Sequence, residues 1–422
     1  MKKLLALSLL CPALMSAQGY QVHVQGQKQQ AMGNVGTGFV QDAATIFYNP
    51  GGVSFLKENS VSVGGTAAIV NTIYYDSITN TVTKANIPKA IAPTLYGVYG
   101  VDSTKSKLLQ KFKFGLGVYA PFAGSAKWPD GWVGRFILKS TDLKIVNIQP
   151  TVSFKINDKI GIGAGFVYSM GSIDVSKDVY LTNNTVGNYA SVDVKGKLNG
   201  YGINAGVYIK PTEAFSIGLT YHSAVNMKSK GATAEFTNVP NQLRDSIIVG
   251  GGSTTGPMKT DVSTTFPLPT IISLGLGYKF TDKFALALDI NYLGFKVMDT
   301  LHLNFKNGAD KLKNVADVRG FKNTYSFQLG GRYLVTEALT LRAGLRYVLT
   351  PIPNGFSTPD GGDADRLVYC GGLGYKINKH FVVDASYSFE SIVRKDNNHF
   401  YNFIGTYKTY ANFAGLSLTY NF

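Results

Sequence analysis

Few residues in this chain form patterns that do covalent chemistry. The five histidines, His23, His222, His302, His380 and His399, are scattered without metal-ligand spacing. Cys11 and Cys370 are the only cysteines, so neither a disulfide framework nor a cysteine-rich zinc site is expected. Gly33-Asn34-Val35-Gly36-Thr37-Gly38 is glycine-rich, but no strand-to-helix context follows it, which argues against a phosphate-binding loop. A lipase would need a serine–histidine pair with an orienting partner. Serines are many, and nothing singles one out. The chain reads as a non-enzyme with no cofactor and no metal.

The residues with a physical use are basic, aromatic or turn-forming. Arg342 and Arg346 fall on the polar side of an alternating stretch, and Lys322 alternates with Thr324, Ser326 and Gln328. All three are expected to face an interior. They read either as charges paired with Asp289, Asp384 or Glu390, or as a site for a ligand carboxylate through charge-assisted hydrogen bonds. Trp128 and Trp132, the only tryptophans, fall with Pro121 and Phe122 in one connection. They read as an interfacial belt or loop core, or as part of an apolar capture groove, because two wet indoles need a cover. Asn49-Pro50-Gly51 reads as a turn in which proline fixes φ and glycine permits unusual dihedrals.

The elements that position these residues follow from period two. From Phe284, the residues Phe284, Leu286, Leu288, Ile290 and Tyr292 alternate with Ala285, Ala287, Asp289 and Asn291. The sets from Ile160, Leu339 and Phe381 behave alike. One face is apolar with terminal aromatics; the other is small, polar or charged. Fourteen such segments lie near 59–71, 91–102, 112–120, 143–156, 160–174, 195–210, 214–226, 267–280, 283–297, 319–335, 338–350, 365–377, 380–393 and 409–422. Short turns (157–158, 211–213, 281–282, 336–337, 378–379) alternate with long loops (121–142, 175–194, 227–266, 298–318, 394–408). A soluble sandwich has no reason to sort its loops by length. An outer-membrane barrel does, with short periplasmic turns and long external loops. The alternating strand that ends at Phe422 has the form of a signal for the barrel assembly machinery and must close against the first strand.

Composition agrees. Of 422 residues 45% are hydrophobic and only 16% charged, with 47 Gly, 25 Tyr and 25 Phe. No stretch approaches the ~18 apolar residues of a membrane helix. Lys2-Lys3, the apolar run to Met15 and Ser16-Ala17-Gln18 read as a signal peptide, residues 1–17. Residues 18–57 do not alternate yet carry Phe39, Ile46, Phe47, Tyr48 and Phe55, more apolar surface than a free tail would hold. They read as a hatch in the lumen of a barrel formed by 58–422. The net charge of +15 comes without a run of five Lys/Arg. That argues against nucleic acid and leaves outer-membrane lipid and lipopolysaccharide as partners.

Asp42-Ala-Ala-Thr-Ile-Phe-Tyr-Asn-Pro-Gly-Gly52 resembles the N-terminal hatch of the FadL/TodX family of outer-membrane hydrophobic-substrate transporters. Further matches are Ala120-Pro121-Phe122, Trp132-Val133-Gly134-Arg135, Asn147-Ile148-Gln149-Pro150, Tyr221-His222-Ser223, Gly320-Phe321-Lys322 and Asp365-Arg366. Their order covers nearly the whole mature chain. The resemblance implies an all-β, 14-stranded antiparallel transmembrane barrel, plugged and monomeric, in a bacterial outer membrane. It implies capture of a hydrophobic ligand by loops, internal binding, and lateral release beside a kinked third strand next to the Asn49-Pro50-Gly51 turn. Long-chain fatty acids lead, and monoaromatic hydrocarbons are the alternative. In fatty-acid-transporting relatives a basic residue occurs at the position of Lys322. Family members typically carry alanine where Gly51 stands, so a more flexible turn is expected. A general diffusion porin, a lipase or an adhesin acting through 227–266 are competing classes.

Overall fold

The computed structural model describes residues 21–101, 106–180, 189–250, 256–308, 315–360 and 362–422. The expected signal peptide, 1–17, lies outside the described residues. The barrel strands are β1 (Ser60–Asp76), β2 (Ala90–Gly100), β3 (Phe112–Lys127), β4 (Ser140–Lys155), β5 (Ile160–Tyr180) and β6 (Tyr189–Ile209). Two broken strands follow, β7 (Phe215–His222 with Val225–Thr237) and β8 (Met258–Leu268 with Ile271–Lys279). Then come β9 (Phe284–Leu293 with Thr300–Phe305), β10 (Val315–Val318 with Thr324–Leu334), β11 (Leu339–Val348), β12 (Arg366–Lys376), β13 (Phe381–Asn398) and β14 (Phe403–Asn421).

Each strand pairs antiparallel with the next. The barrel closes through β1 and β14, from Ser60↔Asn421 to Asp76↔Gly405. Closure leaves no unpaired edge, which a sheet in lipid requires. The burial pattern is the inverse of a soluble sandwich. In β10, Ser326 and Gln328 are each 1% exposed, whereas Phe327 and Leu329 are 40% and 48% exposed. Apolar groups face out and polar groups face in, as lipid outside and a packed lumen inside demand.

The turn end was well set by sequence. Asn157 Oδ1 accepts from the N–H groups of Lys159 and Ile160, both at 2.8 Å. Asn378 Oδ1, Thr281 Oγ1 and Thr336 Oγ1 accept in the same way in their turns. These side chains mimic a backbone turn and stop each strand at a fixed residue. The loop end differs from expectation. Stretches read as loops at 121–142, 175–194, 227–266, 298–318 and 394–408 are in part ladder: β3 runs to Lys127, β5 to Tyr180 and β13 to Asn398. Beyond the lipid the outward face need not be apolar, so the compositional alternation ends while the hydrogen bonds continue. One consequence is that Phe122, expected in a loop, stands on β3.

Candidate functional site

Residues 21–56 pack against the inward faces of the strands. They hold α1 (Gln27–Ala31), α2 (Thr45–Tyr48) and a 3-10 turn (Pro50–Phe55). None is long enough to be stable alone in water, so the wall supplies their partners. Gln27 donates to Thr66 Oγ1 on β1 at 3.2 Å, and Gln30 donates to the Phe413 carbonyl on β14 at 3.2 Å. The N–H groups of Gly36 and Thr37 both donate to Asp289 Oδ2 on β9 at 2.8 Å. Ser216 Oγ on β7 donates to the Gly38 carbonyl at 2.6 Å. Gln149 on β4 and Asn204 on β6 donate to the Ile46 and Phe47 carbonyls, each at 2.8 Å. Wall glycines allow the approach: a Cβ at Gly218 would lie 1.8 Å from the Thr37 carbonyl oxygen. Sequence reasoning did not single out Gln149, Asn204 or Gln27. Asp289 was named only as a charge partner. The available signal was a lone amide or carboxylate on an inward face otherwise small.

Asn49 Nδ2 donates to the Thr37 carbonyl at 2.8 Å and to the Val207 carbonyl on β6 at 3.0 Å. Its Oδ1 accepts from Gly51 N–H at 3.0 Å, closing the turn. The Asn49-Pro50-Gly51 turn sits on Gly161 and Gly163 of β5 and Gly206 of β6, and the segments on either side of it, α2 and the 3-10 turn, also reach β3. And Gly51 serves closeness rather than flexibility, because a Cβ there would lie 2.6 Å from the Gly206 carbonyl oxygen.

The third strand is kinked, but another segment covers it. The β3–β4 register shifts between Tyr119 and Phe122, a bulge that takes Ala120 and Pro121 out of the ladder. Val22 N–H donates to the Pro121 carbonyl at 2.9 Å, and Gln25 Nε2 donates to the Ala120 carbonyl at 3.1 Å. The N-terminal segment thus replaces the missing ladder partners. Beside it lies a small cavity of about 50 Å3 whose lining includes Phe47, Tyr119, Phe122 and His222. It reaches the breaks in β7 and β8 at Ser223 and Pro269. A space this size holds a water or two, well short of the ~300 Å3 typical of a ligand pocket.

The basic residues divide. The Arg342 side chain is 7% exposed and pairs with Asp384 at 2.8 Å; Lys28 of α1 stands 3.7 Å from the same carboxylate. Arg346 is buried 3.7 Å from Glu390, which Arg366 holds more closely at 2.8 Å. Among the described residues, Arg346 Nε and Nη1 have no acceptor. Lys322 contradicts its expected place in the lumen. It is exposed and outside the strand, with its N–H donating to the Pro351 carbonyl. Phe321 to Asn323 fall in the break between the two parts of β10, outside the ladder, so alternation cannot be carried back from Thr324.

Trp128 and Trp132 are 2% and 4% exposed and stack at 4.2 Å between ring centroids. Their indole N–H groups donate to the carbonyls of Pro359 at 3.2 Å and Leu138 at 2.8 Å. Tyr74 and Phe403 pack edge-on to Trp132. The pair is therefore the core of a cap over the loop end, not the wall of an open groove. Trp132→Ala should cost about 3–5 kcal/mol of local stability. Limited proteolysis should then cut within 128–139 while the barrel stays folded; unchanged cutting would place the indole outside the cap's core. Among the described residues no group of three His, Cys, Asp or Glu side chains converges as a metal site.

The sequence matches, over residues 9–422, the family described as outer membrane protein transport protein (OMPP1/FadL/TodX). The chain belongs to this family. The FadL/TodX assignment makes it an outer-membrane transporter of hydrophobic compounds and not an enzyme. It is 26% identical to a 47 kDa outer membrane protein of Pasteurella multocida, with 90% of this chain and 88% of the relative covered. It is 22% identical to a long-chain fatty acid transport protein of Escherichia coli, covering 89% and 88%. The crystal structure of a Pseudomonas aeruginosa FadL homologue superposes with a TM-score of 0.81 at 22% identity, covering 96% of this chain and all of that one (100%). That of the toluene transporter TodX of P. putida gives 0.72 at 17% identity, covering 94% and 98%. These two likenesses bear on the fold alone.

Proposed function

We propose that this protein carries long-chain fatty acids across the outer membrane, with residues 18–57 as a hatch and the β3 bulge as the lateral exit. The observation that carries this reading is the pairing of Val22 and Gln25 with the Ala120 and Pro121 carbonyls. A wall that lacks part of its own ladder, and borrows partners from an internal segment, opens when that segment moves. The cavity beside it is too small for a ligand as it stands, so passage requires such a shift. Phe122 lines the route. Trp128 and Trp132 must part, or their cap must lift, for capture. Lys322, exposed on the outer rim, meets a carboxylate before entry, and Arg346 with its unused donors meets it inside. Arg342, already paired, holds α1 through Asp384 and Lys28. The strand ending at Phe422 carries the signal to the assembly machinery, and the plugged barrel acts as a monomer.

A second reading, monoaromatic hydrocarbons, is favoured by the pairing of Arg342 with Asp384, which leaves fewer lumen cations for an acid headgroup. Uptake of labelled oleate and labelled toluene decides between them, in cells lacking their own transporter and with surface expression verified. Oleate uptake that falls in Arg346→Gln supports the first reading. Toluene uptake alone, unaffected by Arg346→Gln, supports the second. Neither, from a folded surface barrel, overturns both.

A further inference from the structure

Four neighbouring strands carry one continuous row of side chains on their outward face. Lys144 of β4 stands opposite Ser172 of β5, Ser172 opposite Lys197 of β6, and Lys197 opposite Lys230 of β7. All four are exposed, as is Lys228, two residues before Lys230. With strands ~4.8 Å apart, the row spans about 15 Å. Like charges directly opposite one another destabilise an antiparallel pair, and Lys197 with Lys230 is such a pair. Asp193, four residues from Lys197 on the same face of β6, stands opposite Glu235 and not opposite a lysine of the row, and three other acids are engaged. Asp174 pairs with Lys195 at 3.2 Å, Glu235 with Lys259 at 3.1 Å, and Asp142 with Lys144 itself through an open surface contact that adds little. An unfavourable juxtaposition of this kind is relieved by an anion from outside the chain.

Position says which anion. Four residues along β6 from Lys197, towards the turn end, Tyr201 is 63% exposed, with Phe166 of β5 at 5.8 Å and itself 50% exposed. Ile203 and Leu219 follow, both more than half exposed. Outward aromatics mark the membrane interface and outward aliphatics the hydrocarbon. The lysine row therefore stands at the headgroup level of the external leaflet, with an apolar face directly beneath it. A soluble acidic partner has no use for that second feature.

We propose that Lys144, Ser172, Lys197, Lys230 and Lys228 form a binding site for the phosphorylated headgroup of lipopolysaccharide, whose acyl chains lie along Tyr201, Phe166 and Ile203. The ammonium groups take the phosphates, and Ser172 donates to a phosphate or sugar oxygen. Part of the chain's positive charge is thereby placed where an anionic lipid surface meets it.

The test titrates the purified full chain in detergent with bisphosphorylated lipid A and with its dephosphorylated form, reading bound lipid by native mass spectrometry. Wild type should prefer the bisphosphorylated form. Lys197→Gln with Lys230→Gln should weaken that form by on the order of tenfold or more and leave the dephosphorylated form unchanged. Without lipid the double variant should unfold at the same or a higher temperature than wild type, because a repulsion has been removed. Bisphosphorylated lipid A should raise the unfolding temperature of wild type only. Lys376→Gln with Lys379→Gln, two exposed lysines at the opposite end, should behave as wild type. Equal binding of both lipids, an unchanged preference in the Lys197/Lys230 variant, or an equal loss in the Lys376/Lys379 control would overturn the site.

Discussion

Asp289→Ala should open the lumen to small solutes while leaving the barrel folded. The carboxylate is 1% exposed and accepts the N–H groups of Gly36 and Thr37 on one oxygen, both at 2.8 Å. Two effects compete. Removing a buried charge can be neutral or stabilising when its surroundings are apolar. Here alanine leaves two backbone donors without an acceptor. Each charge-assisted bond is worth about 1.5–3 kcal/mol, and the unpaired donors keep their desolvation cost, so the loss dominates. At 1.4 kcal/mol per tenfold, about 3 kcal/mol shifts the closed arrangement by roughly a hundredfold. Asp289→Asn keeps an oxygen to accept and should shift it less. In planar bilayers, leak conductance should rank Ala above Asn above wild type, with heat-modifiability unchanged in all three. Wild-type conductance in Asp289→Ala would show that segment 36–38 is held by other contacts.

How far the sequence carried this depends on which physics wrote each signal. Lipid wrote the alternation of Phe327 and Leu329 with Ser326 and Gln328, and it holds wherever lipid touches the wall. It fades at Glu390, although β13 continues to Asn398. Turn chemistry wrote the closed end, where Asn157 and Asn378 fix the last residue of a strand. Lys322 was misplaced because alternation was carried back from Thr324 past the end of the ladder, into residues 319–323 that form no strand. Contacts between the N-terminal segment and the wall were the least legible. The amides of Gln27, Gln30, Gln149 and Asn204 bond to groups up to several hundred residues away in sequence, and no local pattern announces a partner. Arg342 and Arg346 were placed correctly in the lumen, while the choice between pairing and ligand binding needed the distances to Asp384 and Glu390.

Gly51→Ala should loosen the same closure from a neighbouring stretch of the wall. Gly51 is not in the left-handed region, so alanine brings no dihedral strain. Its lower unfolded-state entropy would on its own stabilise by about 0.4–1 kcal/mol. Space decides otherwise. The new Cβ would lie 2.6 Å from the Gly206 carbonyl oxygen and 2.8 Å from that of Gly161. Both are backbone atoms in a β5–β6 ladder that runs without a register shift from Ile160↔Ile209 to Tyr180↔Tyr189. The wall cannot yield cheaply, so the 3-10 turn must. Overpacking of this kind costs about 1–3 kcal/mol, which exceeds the entropic gain. The shift also draws Asn49 Nδ2 away from the Val207 carbonyl and slackens its hold on Thr37, the residue that Asp289 grips from β9. Gly97→Ala is the matched control, since its Cβ would meet nothing closer than 3.9 Å. A raised leak in Gly51→Ala with none in Gly97→Ala ties the seat of this turn to closure of the pore. Equal, wild-type conductance in both would mean that the turn can lift from β5 and β6 without opening a path.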